Sequence, residues 1–142
     1  RLDLAMAASD LCLWEWTPAG WRFHTRLWAE KFGHPAGRLV SGPDFRDSIH
    51  PEDAGAFERK FRDLLASPDG TCEHDFRQRD THGGWRLVNC HARLFRRTAD
   101  DAPETVIGIS RDVTEERLAE QARLHAVEKE GELQTLRSQL NP

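Results

Sequence analysis

The 142-residue sequence predicts an α+β domain built on an antiparallel sheet and followed by one long helix, and three observations carry that expectation. Segments with the two-residue period of half-buried strands lie toward both ends of the first 112 residues. Between them runs a segment with the three-and-four spacing of an amphipathic helix. Beyond residue 113 the chain changes character, with one glycine and no proline before Pro142. At 38% apolar and 31% charged residues, the composition supplies a buried core and is neither disordered nor collagen-like.

Each element has its own signal. Leu11–Thr17 is rich in β-forming aromatics and runs into Pro18-Ala19-Gly20, so with residues 21–25 it predicts a hairpin. Arg26–Phe32 carries Leu27, Trp28 and Phe32 at helical spacing and stops at Gly33, before a loop containing His34-Pro35-Ala36-Gly37. Phe45 and Ile49, four apart, predict another turn or two of helix over residues 43–49. In His50-Pro51-Glu52-Asp53, proline suits the first helical position and the two carboxylates suit the positive end of the dipole. The helix that follows runs to about Ala66 and turns Ala54, Phe57, Phe61, Leu64 and Leu65 toward a core. Residues 71–78 alternate, with Cys72, His74 and Phe76 opposite Glu73, Asp75 and Arg77. A turn at residues 80–84 leads to residues 85–96, which place Val88, Cys90, Ala92 and Leu94 on one face. After a polar loop, residues 105–112 form the last strand, with the apolar run Val106-Ile107-Gly108-Ile109.

The tail, residues 114–140, reads as one continuous helix that Asp112 or Thr114 can cap, with Glu115 and Glu116 in its first turn. Ala119, Ala122, Ala126, Leu133, Leu136 and Leu140 step by three and four, a heptad seam with one charged lapse at Lys129 that suits pairing with a second copy. Leu124 and Val127 lie on a different face.

Composition also excludes. Twenty-four acids against 20 bases give a net charge of −4, which offers no attraction to a phosphate backbone, so nucleic acid is not an expected partner. No apolar run reaches the roughly 18 residues of a membrane span, and the first residues lack a signal-peptide pattern, so no membrane contact is expected of this segment. It begins at Arg1 and stops at Asn141-Pro142, as an excerpt of a longer chain would, and a membrane anchor of the parent would lie outside it. Three cysteines argue against a disulfide framework and for a reducing compartment, making the cytoplasm the default location. No nucleophile–base pair, carboxylate pair or phosphate-cradling loop stands out, so no catalytic residue is assigned.

In order along the chain stand Trp14-Glu15-Trp16, Phe32-Gly33-His34, His50-Pro51-Glu52-Asp53, Phe76-Arg77, Gly83-Gly84-Trp85-Arg86 and Gly108-Ile109-Ser110-Arg111-Asp112-Val113-Thr114. Together these resemble a PAS domain of the bacterial sensory subtype with a Trp-x-Trp first strand, over about residues 4–117. The resemblance implies a five-stranded antiparallel sheet of order 2-1-5-4-3, with helices closing a cavity on one face. It divides the chain into a sensory domain, residues 1–113, and a signalling helix, residues 114–142. Asp112-Val113-Thr114 resembles the family's Asp-Ile-Thr signature, which joins the last strand to the helix that carries the signal out. Gln139-Leu140-Asn141-Pro142 resembles the opening of the histidine-kinase phosphoacceptor motif Gln-x-Asn-Pro-His, which implies a two-component sensor kinase as the parent protein.

A branch of that family binds flavin through a cysteine on a short helix, but residues 37–49 contain none, which speaks against a covalent flavin. Other members hold haem through a histidine on the long helix, and residues 54–66 have none. No zinc-type ligand spacing is present, so no metal is expected. Stripe and alternation arguments place Phe45, Phe57, Phe61, Val88, Cys90, Ala92 and Ile107 around the cavity, an apolar pocket suited to a small organic ligand. The expected function is a non-catalytic sensory and dimerisation module that relays a signal to the kinase domain of its own chain. A ligand-free structural dimer, or the input module of a diguanylate cyclase, is the alternative.

Overall fold

Large apolar side chains alternating with polar ones shape the first hairpin. In the computed structural model, which describes residues 10–141, β1 (Leu11–Thr17) pairs with β2 (Gly20–Phe23) through Trp14 with Phe23 and Trp16 with Trp21. The second strand is shorter than expected because Thr25 leaves the sheet to become the N-cap residue of α1 (Arg26–Phe32). Its buried hydroxyl accepts the Leu13 N–H at 3.2 Å. Gly33, at φ 75°, closes α1 in the left-handed conformation that glycine adopts without strain.

A two-residue strand β3 (Leu39–Val40) follows, then α2 (Gly42–Ser48), capped by Ser41 Oγ accepting the Asp44 N–H at 3.2 Å. His50 caps α3 (Pro51–Ala66), its Nδ1 accepting the Glu52 N–H at 3.1 Å. Three long strands complete the sheet: β4 (Thr71–Arg79), β5 (Trp85–Arg97) and β6 (Pro103–Asp112).

The sheet is antiparallel throughout and has six strands in the order β3-β2-β1-β6-β5-β4. This corrects the expected five strands and their 2-1-5-4-3 order. The difference comes from Leu39–Val40, a stretch too short to show alternation, which pairs with Arg22 and Trp21 at the edge.

One sheet face carries the core, and α3 packs its apolar stripe of Ala54, Phe57, Phe61, Leu64 and Leu65 against it. Along β6, Val106, Ser110 and Asp112 are buried, whereas Ile107 and Ile109 point outward at 36% and 42% exposure. Ile107 therefore lies on the face away from the helices, which corrects its expected place in the cavity. Gly108 is required by a close approach: a Cβ there would fall inside the indole ring of Trp14, whose Nε1 donates to Ser110 Oγ at 2.8 Å.

The described residues form two compact units that divide between Asp112 and Val113. The second holds α4 (Thr114–Leu140), 27 residues with none buried. Its N-cap residue is Val113, which lies between the expected Asp112 and Thr114 and makes no side-chain cap bond of its own. Thr114 is already inside the first turn, and the Asp112 carboxylate is engaged by Lys31 and Arg86. Among the described residues no helix is long and apolar enough to cross a membrane. Residues 4–9 of the sensory-domain resemblance, and Pro142 of the terminal motif, lie outside the described residues.

Candidate functional site

Cross-strand register assembles the site. On the core face Cys12, Ser110, Cys90 and His74 stand in one row across β1, β6, β5 and β4. Trp14, Gly108, Ala92 and Cys72 form the next row. Above these rows α3 lays Phe57, Phe61 and Leu64, enclosing a pocket of about 20 Å³, the room of one water molecule.

The thiols lining this pocket are unreactive. Burial pushes the Cys90 thiol up to about 12 and also raises Cys72, so both stay protonated and neither is an activated nucleophile. His74 Nε2 is buried in the wall with no hydrogen-bond partner. Burial, followed by the nearby Lys60 charge, holds this imidazole below its usual range.

Of the expected cavity residues, Phe57, Phe61, Cys90 and Ala92 line the pocket. Phe45 and Val88 are buried in the same core but stand back from it, and Ile107 is on the other face. Trp14, Trp21, Lys60 and His74 line it unannounced. Alternation had already set His74 on one strand face with Cys72 and Phe76, but no face was read for Trp14, and nothing in the polar face of α3 marks Lys60.

Outside the pocket, between the first hairpin, α2 and α3, runs a groove of about 810 Å³ walled by Trp16, Trp21, Phe45, Phe57, Phe61 and Leu65. Arg46 of α2 bridges to Glu58 of α3 beside it at 2.9 Å. Ring systems of flavin or haem size need several hundred Å³. The 20 Å³ interior does not fit either group as the side chains stand. Among the described residues no cluster of three His, Cys, Asp or Glu is placed to hold a metal ion.

A second constellation sits at the end of β6. The Asp112 side chain is fully buried and accepts from Lys31 Nζ at 2.6 Å and Arg86 Nε at 2.9 Å. One carboxylate thus ties α1, β5 and β6 together at the last residue of the sheet. Both bonds are charge-assisted, and only the loss of both cations would leave the buried carboxylate uncompensated.

The family model described as the PAS fold matches residues 23–110, more than half of the chain. The chain belongs to the PAS fold family. Members are in general non-catalytic sensory modules. The chain is 32% identical over 108 residues to the uncharacterized protein y4lL of Sinorhizobium fredii, covering 73% of this chain and 12% of that protein. It is 35% identical over 75 residues to the two-component sensor PprA of Pseudomonas aeruginosa, covering 53% of this chain and 8% of that protein. The chain thus spans about an eighth or less of these relatives.

Among solved structures, a sensory box histidine kinase/response regulator from Burkholderia thailandensis superposes with a TM-score of 0.68 at 22% identity, covering 91% of this chain and 96% of that one. The N-terminal domain of a diguanylate cyclase with PAS/PAC sensor from Marinobacter aquaeolei gives 0.62 at 19% identity, covering 75% and 98%. At these identities the likeness establishes the fold. This PAS domain therefore resembles the sensor domains of both histidine kinases and diguanylate cyclases.

Proposed function

We propose that this PAS domain, residues 1–113, is the sensory and dimerisation module of a bacterial two-component histidine kinase in the cytoplasm. It performs no bond-making itself. Its state passes through Asp112, Val113 and Thr114 into the helix of residues 114–142, and from there to the kinase domain of the same chain. Two copies pair through the PAS domain and along Ala119, Ala122, Ala126, Leu133, Leu136 and Leu140.

The observation that carries this reading is the buried Asp112 carboxylate. A rearrangement of α1 or β5 changes what Lys31 or Arg86 offers it, and Asp112 is covalently one residue from Val113. Such a residue transmits only if two arrangements of the core hold it unequally. The likeness to PprA and the terminal Gln139-Leu140-Asn141-Pro142 support a kinase as the parent.

The test is Asp112→Asn in the full-length parent, with autophosphorylation measured across conditions that switch the wild type. The variant is expected to fold and keep basal phosphorylation while losing the response. An unchanged response rejects the relay. Two other readings have specific support. The small interior pocket favours a ligand-free structural dimer, which a native mass equal to the polypeptide would support. The Marinobacter likeness favours a diguanylate cyclase parent, which the residues following Pro142 decide: His-Phe-Leu-Phe-Asn means the kinase.

A further inference from the structure

We propose that the sheet face turned away from the helices binds a second copy of this chain, about a twofold axis that runs along β6 and pairs Glu15 of each copy with Arg93 of the other. This inference rests on the pairing of two PAS domains proposed above and names the surface that makes it.

The first support is what this face presents. Ile107 and Ile109 stand on it partly exposed, and Leu13 lies half-buried opposite Ile109. A hollow of about 540 Å³ opens beside them, walled by Leu13, Thr71, His91, Arg93, Ile107 and Ile109. An apolar centre with charged groups at its rim is the anatomy of a protein interface.

The second support is charge complementarity, which also selects the axis. In one row across the face, Glu15 of β1 and Arg93 of β5 flank Ile107 of β6, each one strand spacing away. A twofold axis lying in the interface along β6 lays β1 of one copy over β5 of the other. Each Glu15 then meets an Arg93 on either side of an Ile107 pair, and each Leu13 enters the opposite hollow beside His91. An axis across the strands through the same row would set Glu15 on Glu15 and Arg93 on Arg93, like charge on like. Both groups have capacity for the contact. Arg93 is exposed and has no ion-pair partner among the described residues, and Glu15 meets His24 through Oε1 at 3.2 Å, which leaves Oε2. Arg111 lies one row beyond Ile109, over its own counterpart, and the roughly 30° offset of aligned sheets carries that like pair apart at the rim. The same axis brings Asp112 of both copies to one end of the dimer, as a parallel pair of the helices that follow requires.

The experiment measures the dimer dissociation constant of the 142-residue chain by sedimentation equilibrium over a concentration series. Glu15→Arg and Arg93→Glu are each expected to weaken the dimer about tenfold, because the pair occurs twice in it, and the double substitution is expected to restore it to within about threefold of the wild type. Ile107→Asp, which sets two acids on the axis, should weaken it by about a hundredfold or more. The side chains of Glu15 and Arg93 reach solvent, so the charge variants keep the fold whether or not Ile107→Asp does. Single losses without recovery, or charge variants that associate like the wild type, overturn the proposal and leave the face to a different partner. If those variants stay dimeric while Leu136→Glu dissociates the chain, the pairing of two copies stands and this surface is rejected. A wild-type chain that is monomeric at every concentration rejects both.

Discussion

At the scale of single residues, this core depends on one missing side chain. Trp14 is 2% exposed, and its ring lies where a Cβ on Gly108 would stand, three strands from the sheet edge. Neither partner can yield, because Trp14 is also bonded to Ser110 and packed on Trp21 at 4.9 Å. Gly108→Ala should therefore cost about 2 kcal/mol or more and lower the melting temperature by roughly 10 °C. Gly131→Ala is the control: nothing lies within 4 Å of its added Cβ, and on an exposed helix the change should stabilise by up to about 1 kcal/mol. Thermal unfolding of both variants decides it, and an unshifted Gly108→Ala would show that the indole has room to move. The glycine was visible in the sequence within Val106-Ile107-Gly108-Ile109, but its reason was not. An unbroken apolar run gives no phase, so Ile107 was turned inward where Val106 belongs. His74 was turned inward correctly by alternation, yet whether a buried imidazole finds a partner depends on β5 and α3 and cannot be read along one strand.

At the scale of elements, the start of α3 is fastened to β4 by one carboxylate. Asp53 accepts from the Arg77 backbone N–H at 2.8 Å, from its Nε at 2.9 Å and from its Nη2 at 2.9 Å, and Glu52 adds a bond to Nη2 at 3.1 Å. The sequence placed both acids for the helix dipole, and the chain uses them to grip a strand 24 residues away as well. The hydrogen bonds to Arg77 hold the Asp53 carboxyl below the usual carboxylate range. A depressed folded value means that the stabilisation is fully present above the unfolded value, about 4, and is lost as pH falls through the folded one. Asp53→Asn should then lower the urea midpoint at neutral pH by on the order of half a molar. The gap to the wild type should narrow below about pH 4. A gap that stays constant with pH would mean that the clamp works through shape and not through charge. Strand and helix identities here follow from periods the sequence displays, whereas Leu39–Val40 is too short to have a period and owes its strand conformation to Trp21 and Arg22 beside it.

At the scale of the whole molecule, α4 buries nothing within one chain, and Leu133, Leu136 and Leu140 are 53%, 53% and 79% exposed. The pairing proposed for it fixes a heptad in which Ala119, Ala126, Leu133 and Leu140 take the first core position and Ala122, Lys129 and Leu136 the second. In a parallel pair that register sets Glu132 of one copy beside Arg137 of the other, opposite charges across the seam, and His125 beside Glu130. Alanine buries little area, so the leucine end should carry most of the association and the charged flank should set its direction. Leu136→Glu is therefore expected to shift sedimentation of the chain to the monomer at concentrations where the wild type is dimeric. Glu132→Lys and Arg137→Glu should each weaken dimerisation about two- to fivefold, as exposed ion pairs do, and the double substitution should restore it. Recovery would establish a parallel pairing in this register. Two single losses that add without recovery would mean that the helices meet along another face, with Leu118, Leu124 and Val127 the exposed apolar residues left to form it.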